Sequence, residues 1–103
     1  MSGFHLSRRA ETDLIEIARY TLETWGEDQA VRYIDELEAC CHRLSENPAL
    51  GRACDQVRPG LRRIEHGRHV VFYRRDGTGI LVSRILHQRM LPERHSLEDD
   101  DLV

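Results

Sequence analysis

His69, His87 and Glu65 are the side chains best suited to exchange protons near neutral pH, and they stand among arginines. Breaking a phosphodiester through a neighbouring 2′-hydroxyl needs a base for that hydroxyl, cations for the charge that builds on phosphorus, and an acid for the leaving oxygen. Two imidazoles and a carboxylate could share the first and last roles. The cations would all be arginines, because the chain has no lysine. Arginine, with a pKa above about 12, holds charge well and shuttles protons poorly. His87 closes an apolar run after Ile85 and Leu86, and there it fits a hydrogen-bonded structural histidine better than a base.

Thiol and metal chemistry find less support. Cys40, Cys41 and Cys54 are an odd number, and no C-x-x-C or H-x-x-x-H spacing occurs, so neither a disulfide framework nor a zinc site is expected. Cys40 and Cys41, adjacent on a helix, would point about 100° apart, which suits neither a mutual disulfide nor a shared metal. Cys41 reads as a small buried apolar residue. No metal site is expected from these spacings.

The elements that must hold these residues follow from periodicity. A short run around Phe4–Leu6 ends at Ser7, whose hydroxyl can cap a helix. Ala10, Leu14, Ile17, Ala18, Thr21 and Trp25 then recur at helical steps, Gly26 interrupts, and Ala30, Ile34, Leu37, Cys41 and Leu44 continue until Asn47 and Pro48 stop the pattern. This predicts a two-helix antiparallel hairpin, with Trp25 as a packing residue. The stretch from Gly51 to Gly60 reads as an irregular connection. Three β-type runs follow: Leu61 to His66, His69 to Arg74 and Ile80 to Leu86. Gly67-Arg68 makes a two-residue turn and Asp76-Gly77-Thr78-Gly79 a slightly longer one. The predicted class is α+β: a short N-terminal strand, the hairpin, then a three-stranded antiparallel meander with the helices on one face. Tyr33 and Tyr73 would pack with their hydroxyls at the rim.

With 103 residues, the chain makes one small domain. Residues 1–95 are its expected extent, and 96–103 an acidic tail expected to be solvated and mobile. No apolar run approaches a membrane span, and Met1 to Leu6 lacks the marks of a signal peptide, so a soluble cytosolic protein is expected.

The net charge of -3 hides a division. Residues 1–51 carry 5 arginines against 10 acids, 52–89 carry 9 against 3, and 90–103 carry 1 against 5. The basic stretch suits an acidic partner, with Arg62, Arg63, Arg74 and Arg84 as its contacts. Arg62 and Arg63 are neighbours on a strand and must point to opposite faces, so at most one can look toward the helices. A basic nucleic-acid binder is disfavoured by the negative total and by aromatics that do not interleave with the arginines.

Trp25-Gly26, Gln29-Ala30, Tyr33, Pro48, Gly51-Arg52, Arg58-Pro59-Gly60-Leu61-Arg62-Arg63, Gly67, His69-Val70-Val71-Phe72-Tyr73-Arg74 and Arg84-Ile85-Leu86-His87-Gln88-Arg89-Met90 occur in this order. Together they resemble the ParE family of toxins from type II toxin–antitoxin modules, within the wider RelE/ParE superfamily, over Phe4 to Met90. The resemblance implies a matching fold and an inhibitory binding protein rather than an enzyme, with neither a cofactor nor a catalytic residue. It implies two partners: a ParD-like antitoxin, giving a hetero-oligomer, and DNA gyrase as target. It implies neither membrane association nor sequence-specific DNA binding by the toxin alone. Family toxicity involves the C-terminal region, which makes His87, Gln88, Arg89 and Met90 the expected target contacts. Leu91-Pro92, where the family often has Asp, and the acidic extension after Leu97 depart from the pattern. The rival within the superfamily is a RelE-like ribosome-dependent messenger-RNA endoribonuclease.

Overall fold

The computed structural model describes residues 3–90. In chain order the elements are β1 (Phe4–Leu6), α1 (Arg8–Trp25), α2 (Glu27–Glu46), β2 (Arg52–Ala53), β3 (Arg62–His66), β4 (His69–Asp76) and β5 (Gly79–His87), with single 3-10 turns at Pro48–Leu50 and Gln88–Met90. One sheet runs β1-β5-β4-β3-β2. β1 lies parallel to β5 and every other pair is antiparallel. This is the α+β arrangement that the periodicities predict. No described helix is long and apolar enough to cross a membrane. The 1–95/96–103 division and the acidic tail lie outside the described residues.

Ser7 begins α1 by accepting from the Ala10 amide at 3.0 Å. Gly26 ends that helix and starts the next with φ at +94°, a conformation that side-chain-bearing residues rarely adopt. The apolar stripes of the two helices then meet the sheet. Ala10, Ile17, Leu37, Cys41 and Leu44 pack against Val71, Tyr73, Ile80, Val82 and Ile85.

β5 breaks its own alternation. Tyr73 pairs with Val82 but Phe72 pairs with Arg84, so Ser83 is an extra residue. Ile80, Val82 and Ile85 therefore join the helix-side core, while Leu86 turns to the opposite face. The Ser7 hydroxyl that caps α1 donates to the Ser83 carbonyl at 2.7 Å. One side chain thus ties the helix start to the bulge.

Four details differ from the sequence-based expectation. A two-residue β2 pairs with β3 inside the supposedly irregular connection. The β4–β5 turn is only Gly77-Thr78, since Asp76 and Gly79 still pair. The far face of the sheet, on which the periodicities place nothing, carries a second core: Cys54, Leu61 and Val57 of the connection pack on Val70, Phe72 and Leu86. Tyr73 is fully buried, not at the rim. Its hydroxyl donates to the Pro48 carbonyl at 2.7 Å and accepts from the Gly51 amide at 2.8 Å, fastening the segment after α2 to the sheet.

Candidate functional site

The expected antitoxin-contact arginines have different fates. Arg84 is 11% exposed and lies against an equally buried Asp13 of α1. Its Nε and Nη2 donate to the two carboxylate oxygens at 2.8 and 3.0 Å. Asp13 Oδ2 also accepts from the Ile85 amide at 3.0 Å. β1 stops at Leu6, which pairs with Val82, so the later part of β5 has β4 on one side and no strand on the other. Asp13 stands in for that strand. Arg63 is buried on the far face, its guanidinium 5.5 Å from the Phe72 ring centre. Arg62, on the other face as expected for a neighbour, donates to the Gly51 carbonyl at 2.6 Å. Arg74 is exposed.

The expected target contacts gather at the end of β5. Ile85 and Leu86 are both buried and anchor the strand from opposite faces. Beyond them Gln88 and Arg89 are exposed on a one-turn 3-10 helix that Met90 ends. The Gln88 amide donates to the Arg68 carbonyl at 3.0 Å, and the Arg89 amide to His87 Nδ1 at 3.1 Å. The segment is exposed yet held.

Beside it runs a groove between α1 and the β3–β4 turn. Two contiguous cavities, about 420 and 370 Å³, share Tyr20, His69 and His87 in their walls. His69 and His87 are the last pair of the β4–β5 ladder, with ring centres 5.4 Å apart and edges meeting faces. The Tyr33 hydroxyl lies 2.6 Å from His69 Nδ1 and 3.2 Å from the His66 carbonyl, and accepts from the Arg68 amide at 3.3 Å. All three contacts are satisfied together when His69 Nδ1 carries the proton, which leaves Nε2 as an acceptor. Burial, with His87, His66 and Arg68 nearby, pushes the His69 pKa down to about 4. The imidazole is neutral at pH 7. Burial also raises the Tyr33 pKa. Gly67 opens the turn with φ at +58°, and a Cβ there would come within 2.7 Å of the Tyr33 hydroxyl.

Glu65 is not part of this group. It pairs with Arg52 at 2.8 Å near the sheet's other edge, so the three proposed proton carriers are not brought together. Burial raises the pKa of all three thiols, that of Cys41 to about 12. They are protonated apolar residues. Among the described residues no cluster of three His, Cys, Asp or Glu is placed to hold a metal ion.

Known proteins sharpen these observations. Residues 4–92 match the family model of the ParE toxin of type II toxin–antitoxin systems, parDE. The chain belongs to the ParE toxin family. Toxin ParE1 of Mycobacterium tuberculosis is 45% identical over 95 residues, 91% of this chain and 97% of that one. Toxin ParE1 of Caulobacter vibrioides is 41% identical, covering 92% and 98%. Toxin ParE of Escherichia coli is 38% identical, covering 87% and 88%. A chain of a structure titled as the chromosomal ParDE system from P. aeruginosa superposes with a TM-score of 0.71 over 84% of this chain and 96% of that one, at 21% identity, so the two share a fold.

Within this ParE chain, sequence reasoning missed Tyr20, Trp25 and Arg68. Trp25 is 59% exposed rather than packed, and Tyr20 is 58% exposed. The Arg68 guanidinium sits 5.9 Å from the Trp25 ring centre. Tyr20 offered a signal, as a bulky aromatic off the apolar stripe of its helix. Arg68 offered none, because its aromatic neighbour is separated from it by α2, β2 and β3.

Proposed function

We propose that this ParE toxin acts by binding DNA gyrase and is neutralised by a cognate ParD-like antitoxin in a hetero-oligomer. The observation that carries the reading is the exposed Gln88–Arg89 segment, whose two backbone amides donate to the Arg68 carbonyl and to His87 Nδ1 at the end of a strand anchored on both faces. A rigid projecting segment loses little freedom on binding, which favours inhibition by occupancy. His87 and Met90 complete the proposed target contact. The endonuclease alternative is less well served. Glu65 stands apart from the histidines, and an imidazole with a pKa near 4 is a weak base at neutral pH.

For the antitoxin, the exposed Arg74 is the direct carboxylate contact, with charge-assisted pairing as its chemistry. Arg62, Arg63 and Arg84 lend their field to that surface while engaged within the fold. The ParDE title of the P. aeruginosa structure supports an antitoxin partner here. Purified protein should inhibit gyrase supercoiling, and a co-expressed antitoxin should relieve the inhibition. Unimpaired supercoiling together with ribosome-dependent messenger-RNA cleavage that is lost in His87→Ala would replace this reading with the nuclease one.

A further inference from the structure

The groove beside the target segment brings together residue types that the sequence keeps apart. Tyr20 and Trp25 come from α1, Arg68 from the β3–β4 turn, and Arg89 from the end of β5, with His69 and His87 between them. Both aromatic rings are more than half exposed, and the Arg68 guanidinium already lies over the Trp25 ring. An exposed aromatic paired with a cation on a groove wall suits a ligand with flat, stackable groups and negative charge.

We propose that this groove binds a single-stranded nucleic-acid segment, with bases stacking on Trp25 and Tyr20 and phosphates meeting Arg68 and Arg89. Unpaired bases present π-faces that any sequence supplies, whereas bases inside a duplex have those faces covered. The binding is therefore tolerant of sequence and selective for single strands. Nucleic-acid sites of this kind place arginines and aromatics alternately along a track, and here the alternation is spatial, built from three elements. The net charge of -3 does not oppose it locally. Asp13 is matched by Arg84, and Glu36 sits 3.8 Å from His66. Glu16 is the groove-wall carboxylate that a phosphate would meet unfavourably. The inference goes beyond the gyrase reading and does not depend on it, since it concerns a ligand that can be offered without gyrase.

Trp25 is the chain's only tryptophan, so its fluorescence reports occupancy of the groove directly. The full-length protein should be titrated with oligodeoxythymidine and oligouridine of roughly twelve nucleotides, with a duplex of equal length, and with an acidic peptide. Both single strands should quench the fluorescence saturably, the duplex and the peptide should not, and a preference between thymidine and uridine oligomers would identify the natural strand. Anisotropy of a labelled strand then serves the variants. Trp25→Ala should weaken binding roughly tenfold, and Trp25→Phe should recover most of it. Arg68→Gln with Arg89→Gln should weaken it similarly and flatten the salt dependence by roughly 1.4 in log–log slope, the value for two lost phosphate contacts on a single strand. Glu16→Gln should tighten binding about threefold, a gain that misfolding does not produce. Absence of quenching by the single strands, equal quenching by the acidic peptide, or unchanged affinity in all four variants would each overturn the proposal. The peptide result would make the groove a protein-docking surface instead.

Discussion

Arg84 and Arg68 line the same groove and are used in opposite ways. Arg84 is withdrawn from water, gripped by both oxygens of Asp13, and helps close the side of β5 that β1 leaves open. Arg68 stays exposed at a turn, over an exposed indole. A guanidinium taken from water must recover its hydration from a well-fitted partner, whereas one left in water contributes little to folding. The same residue type therefore builds the scaffold in one place and furnishes the surface in the other, and counting charges along the chain merges the two.

The contrast is broken most severely at Asp13. Asp13→Ala leaves a buried guanidinium and the Ile85 amide without their acceptor and should cost about 3–5 kcal/mol. On a domain of this size that lowers Tm by more than about 10 °C, readable by calorimetry. Asp13→Asn keeps an acceptor for the amide and should cost less. Arg68→Gln should change stability by no more than about 0.5 kcal/mol. A comparable loss at both arginines would erase the distinction.

Tyr73→Phe comes next. It removes the donor to Pro48 and the acceptor for Gly51 in a fully buried site, at an expected cost of about 1–3 kcal/mol by denaturant unfolding. His69 supplies a pH dependence of similar or smaller size. Its folded pKa of about 4 lies below the ordinary 6.5, so as pH falls the unfolded chain takes up its proton first. Stability is full above 6.5 and declines toward 4, by about 1–2 kcal/mol once the partial exposure of the ring is allowed for. His69→Gln should flatten that part of the Tm-against-pH curve relative to the parent. The smallest structural effect belongs to Arg74→Gln, which should leave Tm within error yet weaken antitoxin binding several-fold in titration calorimetry. Undiminished affinity would move the antitoxin contact elsewhere.

Element types were legible in the sequence because local patterns specify them. Ser7 marks a helix start, Gly26 a break, and Gly67-Arg68 a tight turn, and each needs only its neighbours to be read. The sheet's second core was not legible: Cys54, Val57 and Leu61 are too sparse to show a period, and their burial depends on a strand face that alternation alone would have left wet. The bulge at Ser83 was also invisible, yet it decides that Ile85 rather than Leu86 shares the helix-side face with Val82. At the groove, the residues at the end of β5 could be picked out from their place in the last strand. Trp25 could not, because helical spacing placed it on the stripe, whereas in the fold it stays exposed with the Arg68 guanidinium against its ring. The Asp13–Arg84 pair was similarly hidden, since the partners are 71 positions apart.

The parallel pairing of β1 with β5 means that the first strand made is completed by the last. Ser7 waits for a carbonyl 76 positions later before its hydroxyl is fully used. Because synthesis runs from the N-terminus, the hairpin can emerge and begin to pack long before its sheet exists. A chain interrupted anywhere ahead of β5 lacks the partner of β1, the residue held by Asp13 and one wall of the groove together. Assembly of the groove is thus reserved for chains translated through β5, and the order of translation itself keeps the earlier, shorter chains without it.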